Sequence, residues 1–228
     1  MRWSRLCSNA VVLFFVSVMP AFAALPPATY TPAVAPMPAI FNTQEIFHGD
    51  TSPFKQWTDM LGRANAEFAA APAACNSGQP ECEWSQLVAQ LSALPLRDKV
   101  IRANAVLNSV PYVLSTRNWG RPRYWEAPLE FLAHGGQCED YAIAKYMALR
   151  QAGVPADLMR IVVLRATALG EDHAVLVVNV DGQALLLDNM RSGVVAADSV
   201  TNYRPYYSIN EIGWWQHRAA NAVQTAFR

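Results

Sequence analysis

The stretch Leu132-Ala133-His134-Gly135-Gly136-Gln137-Cys138-Glu139-Asp140-Tyr141-Ala142-Ile143-Ala144-Lys145-Tyr146-Met147-Ala148-Leu149-Arg150 constrains this chain more than any other. A glycine pair breaks the backbone, and a helix then runs until Gly153 and Pro155 stop it. Apolar residues at Tyr141, Ala144, Tyr146, Ala148 and Leu149 fit a helix buried on much of its circumference. Cys138 therefore falls at or just inside a helix N-terminus. Unpaired N–H groups and the positive end of the helix dipole stabilise a thiolate there, and the thiolate is the nucleophile of cysteine chemistry. A lone cysteine is more often an inert buried residue, so the rest of the chain has to decide.

The N-terminus reads as an export signal. Arg2 and Arg5 precede the apolar run Val11 to Val18, and Ala21-Phe22-Ala23 supplies the small-x-small pattern at which signal peptidases cut. The run is too short for a membrane-spanning helix. Residues 1–23 are thus expected to be a signal peptide, with a soluble periplasmic chain beginning at about Ala24. The signal carries two arginines and no acid, so the formal charge moves from zero to −2 on its removal. That balance offers no basic field for nucleic acid or another polyanion.

Residues 24–42 hold Pro26, Pro27, Pro32, Pro36 and Pro38 among alanine and threonine, the composition of an extended arm. Residues 43–228 are long enough for a single domain with one sizeable core. From Thr43 to Val110 the pattern predicts helices, with Phe54, Trp57, Met60, Leu61, Ala64 and Phe68 as the first stripe. Cys75 and Cys82 are expected to lie in one loop containing Pro72, Gly78 and Pro80, close enough for an oxidising compartment to pair them. Their spacing is not that of a zinc site, and no histidine lies nearby. Cys7 leaves with the signal, so Cys138 is expected to be the odd, free thiol. Between Tyr112 and Glu130 the chain is aromatic and basic, suited either to walling a cleft or to packing.

Strands are expected after the cysteine helix: Leu158 to Ala166, His173 to Val180, Gln183 to Asp188 and Tyr203 to Ile209. A helical segment is expected to follow Gly213-Trp214-Trp215. Asp181-Gly182 is a strong hairpin signal. With those two residues in the turn, Val180 faces Gln183 and His173 faces Met190. Asp188 then lies on the same face as a diagonal neighbour of His173, ~7–8 Å away at the backbone. A loop one residue longer or shorter would separate them onto opposite faces. His134 is too close in sequence to Cys138 to be placed as its base. His48 and His217 read as surface or packing residues of the arm region and the terminal helix.

Nucleophile at a helix start, histidine opening a strand and aspartate on the next strand is the papain-like order as transglutaminases use it. Gly-Gly-x-Cys-Glu-Asp-Tyr-Ala-Ile-Ala-Lys-Tyr, His-Ala-Val-Leu-Val-Val and Leu-Leu-Leu-Asp-Asn resemble the bacterial transglutaminase-like cysteine proteinases over roughly residues 45–215. The resemblance implies an α+β, papain/transglutaminase-like fold, with N-terminal helices and the nucleophile helix packed on an antiparallel sheet. It implies a Cys138–His173–Asp188 triad and a peptidase acting on a protein substrate. In its adhesin-trimming members that substrate is a large surface adhesin controlling attachment and biofilm, and an inner-membrane receptor regulates the enzyme. Acids around the cysteine help bind calcium in those members, which makes Glu139 and Asp140 the candidate calcium ligands. Gln137 replaces the aspartate typical just before the cysteine, and first-turn acids also complement a helix dipole. No cofactor is therefore expected to be required. An acyltransferase or cell-wall amidase on the same fold, or a binding module with a dormant triad, stays open at this point.

Overall fold

The computed structural model describes residues 37–70 and 78–219. The signal, most of the proline-rich arm, Cys75 and residues 220–228 lie outside them, so the expected export signal and the Cys75–Cys82 pairing do as well.

The run Met159–Ala166 (strand β2) is rich in β-branched residues and sits at the centre of the sheet. The other strands are β1 (Thr43–His48), β3 (Glu171–Val180), β4 (Gln183–Leu187), β5 (Val195–Ala196), β6 (Tyr203–Ile209) and β7 (Trp214–Ala219). Among the described residues they form one antiparallel sheet in the order β1-β7-β6-β2-β3-β4-β5. Both faces of its centre are covered, which is why β2 and β3 read as near-continuous apolar runs rather than alternating ones. Met159 and Ile161 of β2, with Leu176 and Val178 of β3, face the helices. Val162, Leu164, Val175 and Val177 face a second cluster closed by Ile40, Phe41 and Tyr203. The end of the proline-rich stretch is therefore packed, Ile40 fully so.

The helices are α1 (Lys55–Ala70), α2 (Pro80–Ser92), α3 (Leu96–Leu107), α4 (Ser115–Trp119), α5 (Pro128–His134) and α6 (Cys138–Gln151). Helix α6 is the hub: α2, α3, α5 and the sheet all pack on it, and every residue from Asp140 to Leu149 is buried. Ile143, Met147 and Leu149 each contribute roughly 1.5–3 kcal/mol by leaving water. No helix of the described residues is long and apolar enough to cross a membrane.

Three local expectations are corrected. Thr43–His48 is strand rather than helix, and it pairs with Trp214–Ala219, which is strand rather than the start of a terminal helix. Thr43–His48 finds its partner more than 160 residues away, beyond the reach of a local periodicity reading, while Trp214–Ala219 lies between it and β6. Cys82 lies in the first turn of α2, not in the loop before it. The α+β expectation holds, with the nucleophile helix packed on an antiparallel sheet.

Candidate active site

The glycine pair is required by the backbone it builds. Gly135 has φ +70° in the left-handed region, and a Cβ there would strike the Pro111 carbonyl oxygen. A Cβ on Gly136 would lie 2.6 Å from Asp140 Oδ2. With those atoms absent, Gly136 forms a parallel bridge to Tyr112: Val113 N donates to Gly136 O at 3.0 Å and Gly136 N to Pro111 O at 3.3 Å. Asp140, fully buried, clamps the same loop by accepting from Gln137 N and Glu126 N, each at 2.7 Å. The Gln137 side-chain oxygen in turn accepts from Ser115 N at 2.6 Å.

This clamp sets Cys138 as the first residue of α6. Its Sγ lies 3.1 Å from Glu139 Oε2, donating to it, while the Ala174 N–H donates to the sulfur. Burial, then the Glu139 carboxylate, pushes the thiol well above its ordinary range. The resting form is thus the neutral thiol. The helix terminus favours a thiolate, but burial and the adjacent carboxylate outweigh it.

His173, near the start of β3, is buried and its Nε2 sits 2.9 Å from Asp188 Oδ1. The turn register is as expected, with Val180 opposite Gln183. The return strand ends at Leu187, one residue earlier than expected, and Asp188 follows it fully buried. Its oxygens are held on several sides: Met190 N donates to Oδ1 at 2.9 Å, Tyr203 OH to Oδ2 at 2.7 Å, and Arg191 Nε lies 3.4 Å from Oδ2. Asn108 Nδ2 donates to the Asp188 carbonyl at 3.0 Å. Burial opposes ionisation of Asp188, but His173, Tyr203 and Met190 more than offset it and hold the carboxyl down to about 2. Sequence reasoning missed Tyr203, Arg191 and Asn108. Tyr203 opens a recognised strand, and only that strand's place in the sheet brings it to the carboxylate.

Cys138 and His173 line one cleft of about 540 Å³, together with Tyr112, Trp125, Gln137, Glu139 and Tyr207. The aromatic loop thus divides its duties. Tyr112 and Trp125 wall the cleft, whereas Trp119 Nε1 is tied to Glu126 at 2.7 Å and Tyr124 packs between Arg63 and Arg121. The remaining histidines stand apart from this cleft. His134 ends α5 and lines a different cavity, His48 stacks on Trp214 at 4.1 Å, and His217 lies buried between Ser208 and Thr43.

Glu139 and Asp140 do not fit a calcium site as they stand. Calcium takes about six to eight oxygens. Here Asp140 is out of solvent with each oxygen given to a backbone amide, and Glu139 accepts from the thiol. Among the described residues no group of three or more His, Cys, Asp or Glu is placed to hold a metal.

The solved structure of Legionella pneumophila LapG in its calcium-bound form is 27% identical with a TM-score of 0.56, covering 70% of this chain and 86% of that one. The EGTA-treated form of Legionella pneumophila LapG is 26% identical with a TM-score of 0.54, covering 75% of this chain and 88% of that one. No curated protein sequence matches the chain. A family model, bacterial transglutaminase-like cysteine proteinase BTLCP, matches residues 66–217. That match takes in the cysteine helix, the His173 hairpin and Asp188, and the chain belongs to the bacterial transglutaminase-like cysteine proteinases, a family of cysteine peptidases.

Proposed function

We propose that this peptidase is a periplasmic endopeptidase whose Cys138–His173–Asp188 triad cuts a large surface adhesin and so controls attachment. The observation that carries the triad is the buried His173–Asp188 pair at 2.9 Å, of which His173 lines the same cleft as the free thiol of Cys138. Asp188 engages Nε2, so Nδ1 is the ring nitrogen that would take the thiol proton once Sγ turns from Glu139. As Sγ attacks a substrate carbonyl carbon, the C–S bond forms and the thiol proton passes to Nδ1. The carbonyl electron pair moves onto oxygen, beside the first-turn N–H of Cys138, where one donor is worth ~2.7–4 kcal/mol. Collapse breaks the C–N bond, and His173 returns its proton to the leaving amine. Water then releases the acyl group by the same route in reverse. Asp188, ionised throughout, stabilises the imidazolium formed between these steps.

Substrate and compartment rest on the export-type N-terminus and on the likeness to LapG. The calcium-bound and EGTA-treated LapG structures make calcium plausible in this fold. In this chain the backbone bonds to Asp140 hold the loop instead, so turnover does not depend on the ion. The test uses the mature chain, an N-terminal fragment of a large surface adhesin from the same source, and the protein profile of cells with and without active Cys138. Wild type is expected to cut the fragment, Cys138→Ala not to, and EGTA to change the rate by less than about threefold. An uncut fragment, together with surface proteins of unchanged size and release, would reject the adhesin as substrate.

A further inference from the structure

The cleft contains a second group suited to the reaction, and it lies in the loop ahead of α6. Tyr112 is held beside the nucleophile from three directions. Its backbone bridges Gly136, its ring stacks on Tyr141 at 6.4 Å and 15°, and the Tyr141 hydroxyl donates to the Val110 carbonyl just before it. The side chain is 55% exposed and forms part of the wall that includes Cys138 and His173.

Its hydroxyl is also directed. The Gln137 side-chain amide donates to the phenol oxygen, and of the charges around it that of a Cys138 thiolate, once formed, acts on the phenol more than those of Glu139 and Glu171. A phenol that already accepts one hydrogen bond still has its own O–H to give. The two other phenols in the cleft are differently engaged. Tyr206 OH donates to Asp172 Oδ1 at 2.9 Å, and Tyr207 is influenced by Glu139 and Arg123 rather than by Cys138.

We propose that Tyr112 is a catalytic residue: its O–H is the second oxyanion donor, opposite the backbone N–H of Cys138. The inference rests on the reading of Cys138 as nucleophile. When Sγ adds to the carbonyl carbon, the electron pair displaced onto oxygen is met by both donors. When the C–N bond breaks, that pair returns to re-form the carbonyl and the phenol keeps its proton throughout. A donor placed for the tetrahedral oxygen lowers the barrier to acylation and does nothing for the sulfur's own reactivity.

That separation supplies the test. Iodoacetamide alkylates a thiol without forming an oxyanion, whereas p-nitrophenyl acetate acylates it through one. With the mature chain, Tyr112→Phe is expected to lower the ratio of acylation to alkylation rate at Cys138 by about tenfold or more. Its alkylation rate should stay within about twofold of wild type, since thiolate formation is untouched. An unchanged ratio overturns the inference, and so does a parallel fall in both rates, which would make Tyr112 a support for the sulfur. Cys138→Ala separates the underlying reading: if its p-nitrophenolate burst equals that of wild type, Cys138 is not the nucleophile. A lost burst in Cys138→Ala with a normal ratio in Tyr112→Phe removes Tyr112 alone.

Discussion

Glu139 accepts from the Cys138 thiol at 3.1 Å, while Asp140 beside it gives both oxygens to backbone amides. Two adjacent acids that look interchangeable in the sequence therefore act oppositely, one on the sulfur's charge and one on the loop's shape. The thiol is raised by burial and by Glu139, so Glu139→Gln removes a negative charge and lowers the thiol's pKa. The thiolate fraction near neutral pH then rises. Iodoacetamide alkylation of Cys138 at about pH 7.5 should accelerate by at least about threefold, since each pKa unit is tenfold in thiolate. An unchanged rate would assign the raised thiol to burial alone. The residues of the proposed triad could be picked out in the sequence because each has a recognisable local setting: a broken helix start, a strand opening and a hairpin of countable register. Tyr203 and Arg191 were not, because nothing beside them in sequence marks a partner that only the sheet brings near.

At the scale of elements, the connection from α5 to α6 is a demanding piece of backbone. It reverses at Gly135, bridges to Tyr112 at Gly136 and enters α6 through the Asp140 clamp. Gly135→Ala would place a methyl group against the Pro111 carbonyl in a conformation that L-residues resist. A loss of about 1–3 kcal/mol or more is expected in urea melts, with a larger fractional loss of activity, because the strain falls on the residues that aim Cys138. Wild-type stability in that variant would mean that the loop relaxes without cost. The turn between β3 and β4 was legible to the residue, since Asp181 and Gly182 both adopt positive φ and fix the pairing, whereas the strand ends were not. Strands β1 and β7 were not. Thr43–His48 runs on towards the helical stripe of α1, and Trp214–Ala219 precedes an alanine-rich tail, so local pattern favoured helix where pairing with each other and with β6 won.

At the scale of the whole molecule, the described residues form one sheet with helices on one face and, on the other, a smaller cluster capped by Ile40, Phe41 and Tyr203. Near the β1–β7–β6 end His217 is buried, hydrogen-bonded to Thr43 and Ser208, and burial with the Arg160 charge lowers its pKa from 6.5 to about 4. Between those values the unfolded chain binds a proton that the folded chain does not. Stability from this group is therefore present above about pH 6.5 and is lost as pH falls to about 4, by up to about 3 kcal/mol. Glu67, raised to about 7 chiefly by burial, works the other way, because its folded form holds a proton over part of the same window. Denaturant melts at about pH 6.5 and pH 4.5 should therefore show a shallower acid loss in His217→Gln than in wild type. Equal losses would place the acid sensitivity elsewhere. The sheet, the helix hub and the site all converge on one claim, that Asp188 orients and charges His173 to serve Cys138. Its most direct test is the turnover of Asp188→Asn on a substrate that wild type cuts, with the fold checked by thermal melting. The account predicts a nearly unchanged melt and a fall in turnover of about 10²–10⁴-fold, because shape is kept while the charge supporting the imidazolium is removed. Near-normal turnover would contradict it and would move the orienting role to Asn189 or to another acid.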